Sequence, residues 1–126
     1  MKFPALWLPF TLILCVASIS AAFAQGEAAS TEVIETCPMP EKPSIPNGLK
    51  SSEEEMLEAQ RGIKDYMTKG QAVLTCLDEL AQSWGETATE EQLQINNLFH
   101  NKMVDEMQSI GELFNSAVRA YKGRNQ

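Results

Sequence analysis

The chain has 126 residues, with 10 Lys and Arg against 17 Asp and Glu, a formal net charge of −7 and a sequence pI of about 4.7. Phosphate backbones and anionic lipid repel such a chain, which sets aside nucleic-acid and peripheral membrane binding. Its length admits one domain at most, with a core small for its surface.

Lys2 and the free amine give a modest positive start, and 6–19 is almost wholly apolar. Ala22-Phe23-Ala24 then supplies a small-x-small site, so 1–24 reads as a signal peptide cleaved after Ala24. The stretch 3–24 is nearly long enough to span a bilayer, but Pro4, Pro9 and the small-residue end suit a cleaved signal better. No stable membrane insertion is expected after cleavage, and the product is expected to be exported, most simply to a periplasm. Cys15 follows Leu14, where lipid attachment wants a small residue, so it leaves with the signal. Residues 25–36 are small, polar and acidic, with Val33 and Ile34 as their larger apolar residues, and are predicted to form a disordered leader.

From Cys37 the texture changes. Pro38, Pro40, Pro43 and Pro46 forbid helix and predict an extended, polyproline-like arm over 37–51. Pro46-Asn47-Gly48 then reads as a turn, with Gly48 free to take a positive φ. Cys37 and Cys76 are the cysteines left after cleavage, and in an oxidising compartment such a pair in a small domain reads as a disulfide.

The segment 52–122 carries the strongest pattern, with helices predicted over about 52–84 and 88–121. Ser52 with Glu55 forms a capping box, and Glu53 and Glu54 sit where the helix dipole favours negative charge. Met56, Gln60, Ile63, Met67, Gly70, Leu74, Leu77, Ala81 and Trp84 recur at steps of four and three. Leu93, Asn96, His100, Met103, Met107, Ile110, Phe114, Ala117 and Tyr121 keep the same rhythm. Each series makes one stripe on a helix, the seam along which two helices pack. Gly85 to Ala88 is too short for anything but an antiparallel return, with Thr87 and Glu90, or Thr89, starting the second helix.

Reach ties the arm to the helices. Cys76 lies about 36 Å along the first helix from Ser52 at 1.5 Å per residue. Cys37 lies within about 46 Å of Ser52 at the polyproline rise. The arm can therefore run back and meet Cys76, covering the second apolar stripe of Ala59, Tyr66, Val73 and Leu80 with Ile45 and its prolines. The predicted fold is all-α: an antiparallel, coiled-coil-like two-helix hairpin with the Pro-rich arm strapped on by a disulfide.

Several residues together resemble a family of small, exported, largely uncharacterised proteobacterial helical-hairpin proteins. They are Cys37-Pro38, Pro43, Ile45-Pro46-Asn47-Gly48, Met56, Ala59-Gln60, Lys64, Tyr66 and Cys76-Leu77, with Phe114-Asn115 and Ala120-Tyr121-Lys122. The resemblance implies export and a Cys37–Cys76 bridge, and implies no activity or ligand.

Chemistry has little to build on. His100 is the one histidine, and no nucleophile–base set, Gly-rich phosphate loop or His-Glu-x-x-His pattern is present, so the chain reads as a non-enzyme. His100, Met103 and Met107 share one helix face, with Met67 expected opposite Met107. Thioether and imidazole ligands select copper(I), which makes these four an alternative site, while methionines at helical spacing also simply fill core. Trp84, Ile95, Leu98 and Phe99 gather near the predicted tip. They read either as an interface with another envelope protein or a second copy, giving a four-helix bundle, or as the closure of the tip. The expected function is a binding or structural module of the bacterial envelope.

Overall fold

A computed structural model describes residues 20–124, with side chains from Gly26 onward. Among these residues the fold is all-helical: α1 (Ser20–Thr36), α2 (Glu53–Trp84), a short 3-10 turn (Gly85–Thr87) and α3 (Glu90–Arg124). None of these helices is long and apolar enough to cross a membrane. The apolar run of the expected signal and Cys15 lie outside the described residues, whereas Ala22–Ala24 of its cleavage motif falls inside α1.

Local chemistry sets the helix starts. The Ser52 amide donates to Glu55 Oε2 at 2.7 Å and the Glu55 amide to Ser52 Oγ at 3.2 Å, a reciprocal cap for α2. For α3 the capping pair is Thr89 and Gln92, with Thr89 N to Gln92 Oε1 at 3.0 Å and Gln92 N to Thr89 Oγ1 at 3.1 Å. Thr87 instead donates its hydroxyl to the Trp84 carbonyl at 2.7 Å and holds the 3-10 turn. Gly85 takes the positive φ of 54° that ends α2.

Contacts between α2 and α3 run with numbers rising along one helix and falling along the other. Tyr66 Oη donates to Glu106 Oε2 at 3.2 Å, and Asn96 Nδ2 to the Leu77 carbonyl at 2.9 Å. Both helices bury residues every seventh position: Met56, Ile63, Gly70 and Leu77 on α2, and Asn96, Met103, Ile110 and Ala117 on α3. The α2 core keeps Met56, Ile63, Gly70 and Leu77 of its expected seam and adds Tyr66 and Val73 of the expected second stripe. Gln60 is exposed, while Tyr66 and Val73 are buried in the same cluster as Ile63, Leu77, Met103 and Ile110. A third layer on that side is the reason.

Two consecutive segments make this layer. The expected disordered leader is corrected: 20–36 is helix, because Ala29, Val33 and Cys37, spaced by four, are all buried. Val33 joins the central cluster, and the Cys37 amide continues the helix by donating to the Val33 carbonyl at 2.9 Å. A disulfide then joins Cys37 to Cys76 with Cα atoms 5.8 Å apart. Beyond it, Met39 and Ile45 pack against the core from a segment with no regular secondary structure.

The turn at the base follows its own logic. Asn47 builds it: its carbonyl accepts from Lys50 N at 2.9 Å and Ser51 N at 2.8 Å, and its side chain accepts from Leu49 N at 3.0 Å. Gly48 has no positive φ, contrary to the sequence expectation, and is glycine for a different reason. A Cβ there would lie 1.9 Å from the Ala117 carbonyl oxygen, so the turn touches the α3 backbone directly. Arg124 closes the base, donating to the Leu49 carbonyl at 2.9 Å and to that of Ser51, with its guanidinium 4.6 Å from the Tyr121 ring centre.

Candidate functional site

The sequence reading places a binding tip at Trp84, Ile95, Leu98 and Phe99, and the structure divides that group. α1 lies over the tip, where Glu32 accepts from Trp84 Nε1 at 3.0 Å and from Gln92 Nε2 at 3.1 Å. Trp84, Ile95 and Phe99 are half-buried and pack against the core cluster. As one exposed patch the four-residue tip does not exist, because the helical leader occupies its inner side. Leu98 alone points outward, 60% exposed.

Leu98 belongs to a different surface. Between 42–45 and the outer side of α3 lies an open groove of about 540 Å3. Ile45 and Ile110 contribute apolar surface from its two walls, with Leu98 and Leu113 on the same helix side 15 residues apart. Leu113 is 53% exposed, and the sequence reading passed over it. The signal was available: Leu98 and Leu113 both lie off the predicted seam of α3.

One ion pair spans the groove. Lys42 Nζ lies 3.0 Å from Glu106 Oε1, while the other oxygen of that carboxylate accepts from Tyr66 Oη. Glu106 thus joins three segments at once. Burial first, then the Glu106 charge and the hydrogen bond to it, pushes the Tyr66 phenol up from 10.0 to about 12. An unfolded chain loses this proton near pH 10, so folded-state stability is complete below pH 10 and falls as pH climbs from 10 to 12. Tyr66→Phe should flatten that part of the stability curve in urea titrations across the alkaline range. Parallel curves for the two proteins would count against the assignment.

Of the alternative metal group, Met103 and Met107 lie together over Gly70, while Met67 stands beside Gly111 and His100 faces Asp78. Met103 is fully buried, and a Cβ on Gly70 would meet its Cε at 3.0 Å and Met107 Sδ at 2.7 Å. Met67 reaches toward Gly111, and His100 turns to α2, with Nε2 3.9 Å from Asp78 Oδ1. The methionine side chains fill the space left by the two glycines, a packing role that suits their flexibility. No group of three or more His, Cys, Asp or Glu able to hold a metal occurs among the described residues. Met103→Leu with Met107→Leu should keep full helicity at a cost under about 1.5 kcal/mol per site. Copper(I) titration of both proteins tests the other role: uptake by the parent that the double variant loses would establish it.

Comparison with protein-family models, curated proteins and solved structures finds no match.

Proposed function

We propose that this chain is an exported, non-enzymatic binding module of the bacterial envelope, built as an antiparallel two-helix hairpin with a Pro-rich arm strapped to it. The opposed numbering of the α2–α3 contacts and the Cys37–Cys76 bridge support the architecture. That bridge also suits an oxidising compartment, where disulfides persist.

The observation that carries the binding role is the groove beside α3. Two leucines more than half exposed flank a concave surface crossed by the ion pair of exposed Lys42 with the more buried Glu106. Surfaces of this kind mark interaction sites. Photo-crosslinking from position 98 of the oxidised protein, in the exporting cell, tests the reading. A protein adduct, of one chain with itself or with another, that disappears in Leu113→Asp is expected. Absence of any adduct from either leucine position would end it.

A further inference from the structure

Exposure along the arm changes with every third residue. Met39 and Ile45 pack against the core, Lys42 between them reaches Glu106, and Gly48 touches the α3 backbone. One residue on from the first of these, Pro40, Pro43 and Pro46 are half-buried, while Pro38, Glu41, Ser44 and Asn47 are all exposed. Three residues per turn is the period of polyproline II, whereas an α-helix repeats at 3.6 and a strand at two. Among the described residues no backbone group from Pro38 to Pro46 bonds to another backbone group, which suits that same conformation.

The prolines at 40, 43 and 46 thus form a ridge with one step about every 9 Å. Beside it runs an open furrow of about 470 Å3, between Pro43 and Pro46 and the first turns of α2. Gly62 borders this furrow with nothing within 4 Å of its Cβ position, so the flank of the ridge is clear. Glu55 and Glu58 line it and no Lys or Arg does, and exposed Glu41 adds negative charge on the arm itself. The ridge is held at three points: the Cys37 bridge, the Lys42–Glu106 pair and the Gly48 contact. A ligand already fixed in its bound shape loses little freedom on docking.

We propose that this proline ridge docks into a different protein, in a groove lined by aromatic rings and rimmed with Lys or Arg. Aromatic-lined grooves are how proline repeats of this spacing are read, and the basic rim answers the three glutamates. Among the described side chains a second copy offers no such groove. Tyr66 is buried, Trp84, Phe99 and Phe114 pack against the core, and Tyr121 carries the Arg124 guanidinium. The proposal takes the arm from the architecture proposed above and does not depend on the leucines beside α3.

The probe is a benzophenone side chain at position 44 of the oxidised full chain, photolysed in the exporting cell. The expected product is an adduct with another protein, linked through a peptide that contains aromatic residues. With that protein purified, Pro40→Ala combined with Pro43→Ala should raise the dissociation constant at least about 10-fold. Glu58→Lys lies outside the arm, so it cannot act by unfolding it, and should slow association at least about 3-fold. No adduct from position 44, an adduct with a second copy, or a linked peptide without aromatic residues would each overturn the proposal. Binding indifferent to the proline pair, or to Glu58→Lys, would overturn it too. The position 98 adduct should survive the proline pair, so the two binding readings stand or fall separately.

Discussion

Replacing Cys37 and Cys76 by serine is expected to lower the unfolding free energy by about 4 kcal/mol. The bridge closes a loop with a sequence separation of 39, and the chain-entropy estimate for such a loop is about 4 kcal/mol. For a domain of this size that corresponds to a fall of roughly 15–30 °C in Tm. The effect should be local as well as global. Without the bond, α1 and the segment around Ile45 lose their shared anchor, while the α2–α3 contacts at Leu77 and Asn96 remain. Hydrogen exchange should therefore rise first around Val33 and Cys37. Thermal melts with and without reductant give the first check. Coincident melts would mean that the covalent link adds nothing to the packing of Val33, Met39 and Ile45.

Gly48 should be the most sensitive glycine in the protein. Its missing Cβ would lie 1.9 Å from the Ala117 oxygen, 2.8 Å from the Ala117 carbonyl carbon and 2.9 Å from the Tyr121 nitrogen. All three are backbone atoms of a helix and cannot swing aside, so Gly48→Ala must push the turn off α3. Overpacking of this kind costs about 1–3 kcal/mol, and the closeness here places the substitution at the upper end. The displacement also strains the Arg124 contacts to Leu49 and Ser51. Gly62 supplies the opposite case: it lies inside α2 with nothing within 4 Å of its Cβ position. Gly62→Ala should stabilise by up to about 1 kcal/mol through helix propensity alone. Denaturant unfolding of both variants checks the pair. If Gly48→Ala unfolds at the parent's midpoint, the close approach does not govern the turn.

Helices and bridge were legible because their causes are local or combinatorial. Ser52 with Glu55 needs only four residues to make its cap, and two cysteines have one pairing. The core's position was harder to read. Steps of four and three from Met56 run equally well through Gln60 or through Ala59, and only the location of a third layer decides between them. That layer includes α1, whose pattern is thin: Ala29, Val33 and Cys37 are too few to announce a helix. Its order depends on contacts with Trp84 and Gln92, far along the chain. The candidate tip was misplaced for a related reason, since a segment read as disordered holds Trp84 through Glu32, and Ile95 and Phe99 pack against the core. Leu98 was found, but its relation to Leu113 emerges only when Lys42 and Ile45 are seen alongside α3.

Glu32 carries a consequence for the order of assembly. Its two partners stand 52 and 60 residues downstream, so a chain threaded through an exit from its N-terminus has made α1 long before its seat exists. Closing so large a loop must wait for the downstream helices. The first of the three described helices to emerge would thus be the last to lodge. Chains halted short of Gln92 should leave 25–36 open to proteases, and protection at that stage would contradict this sequence of events.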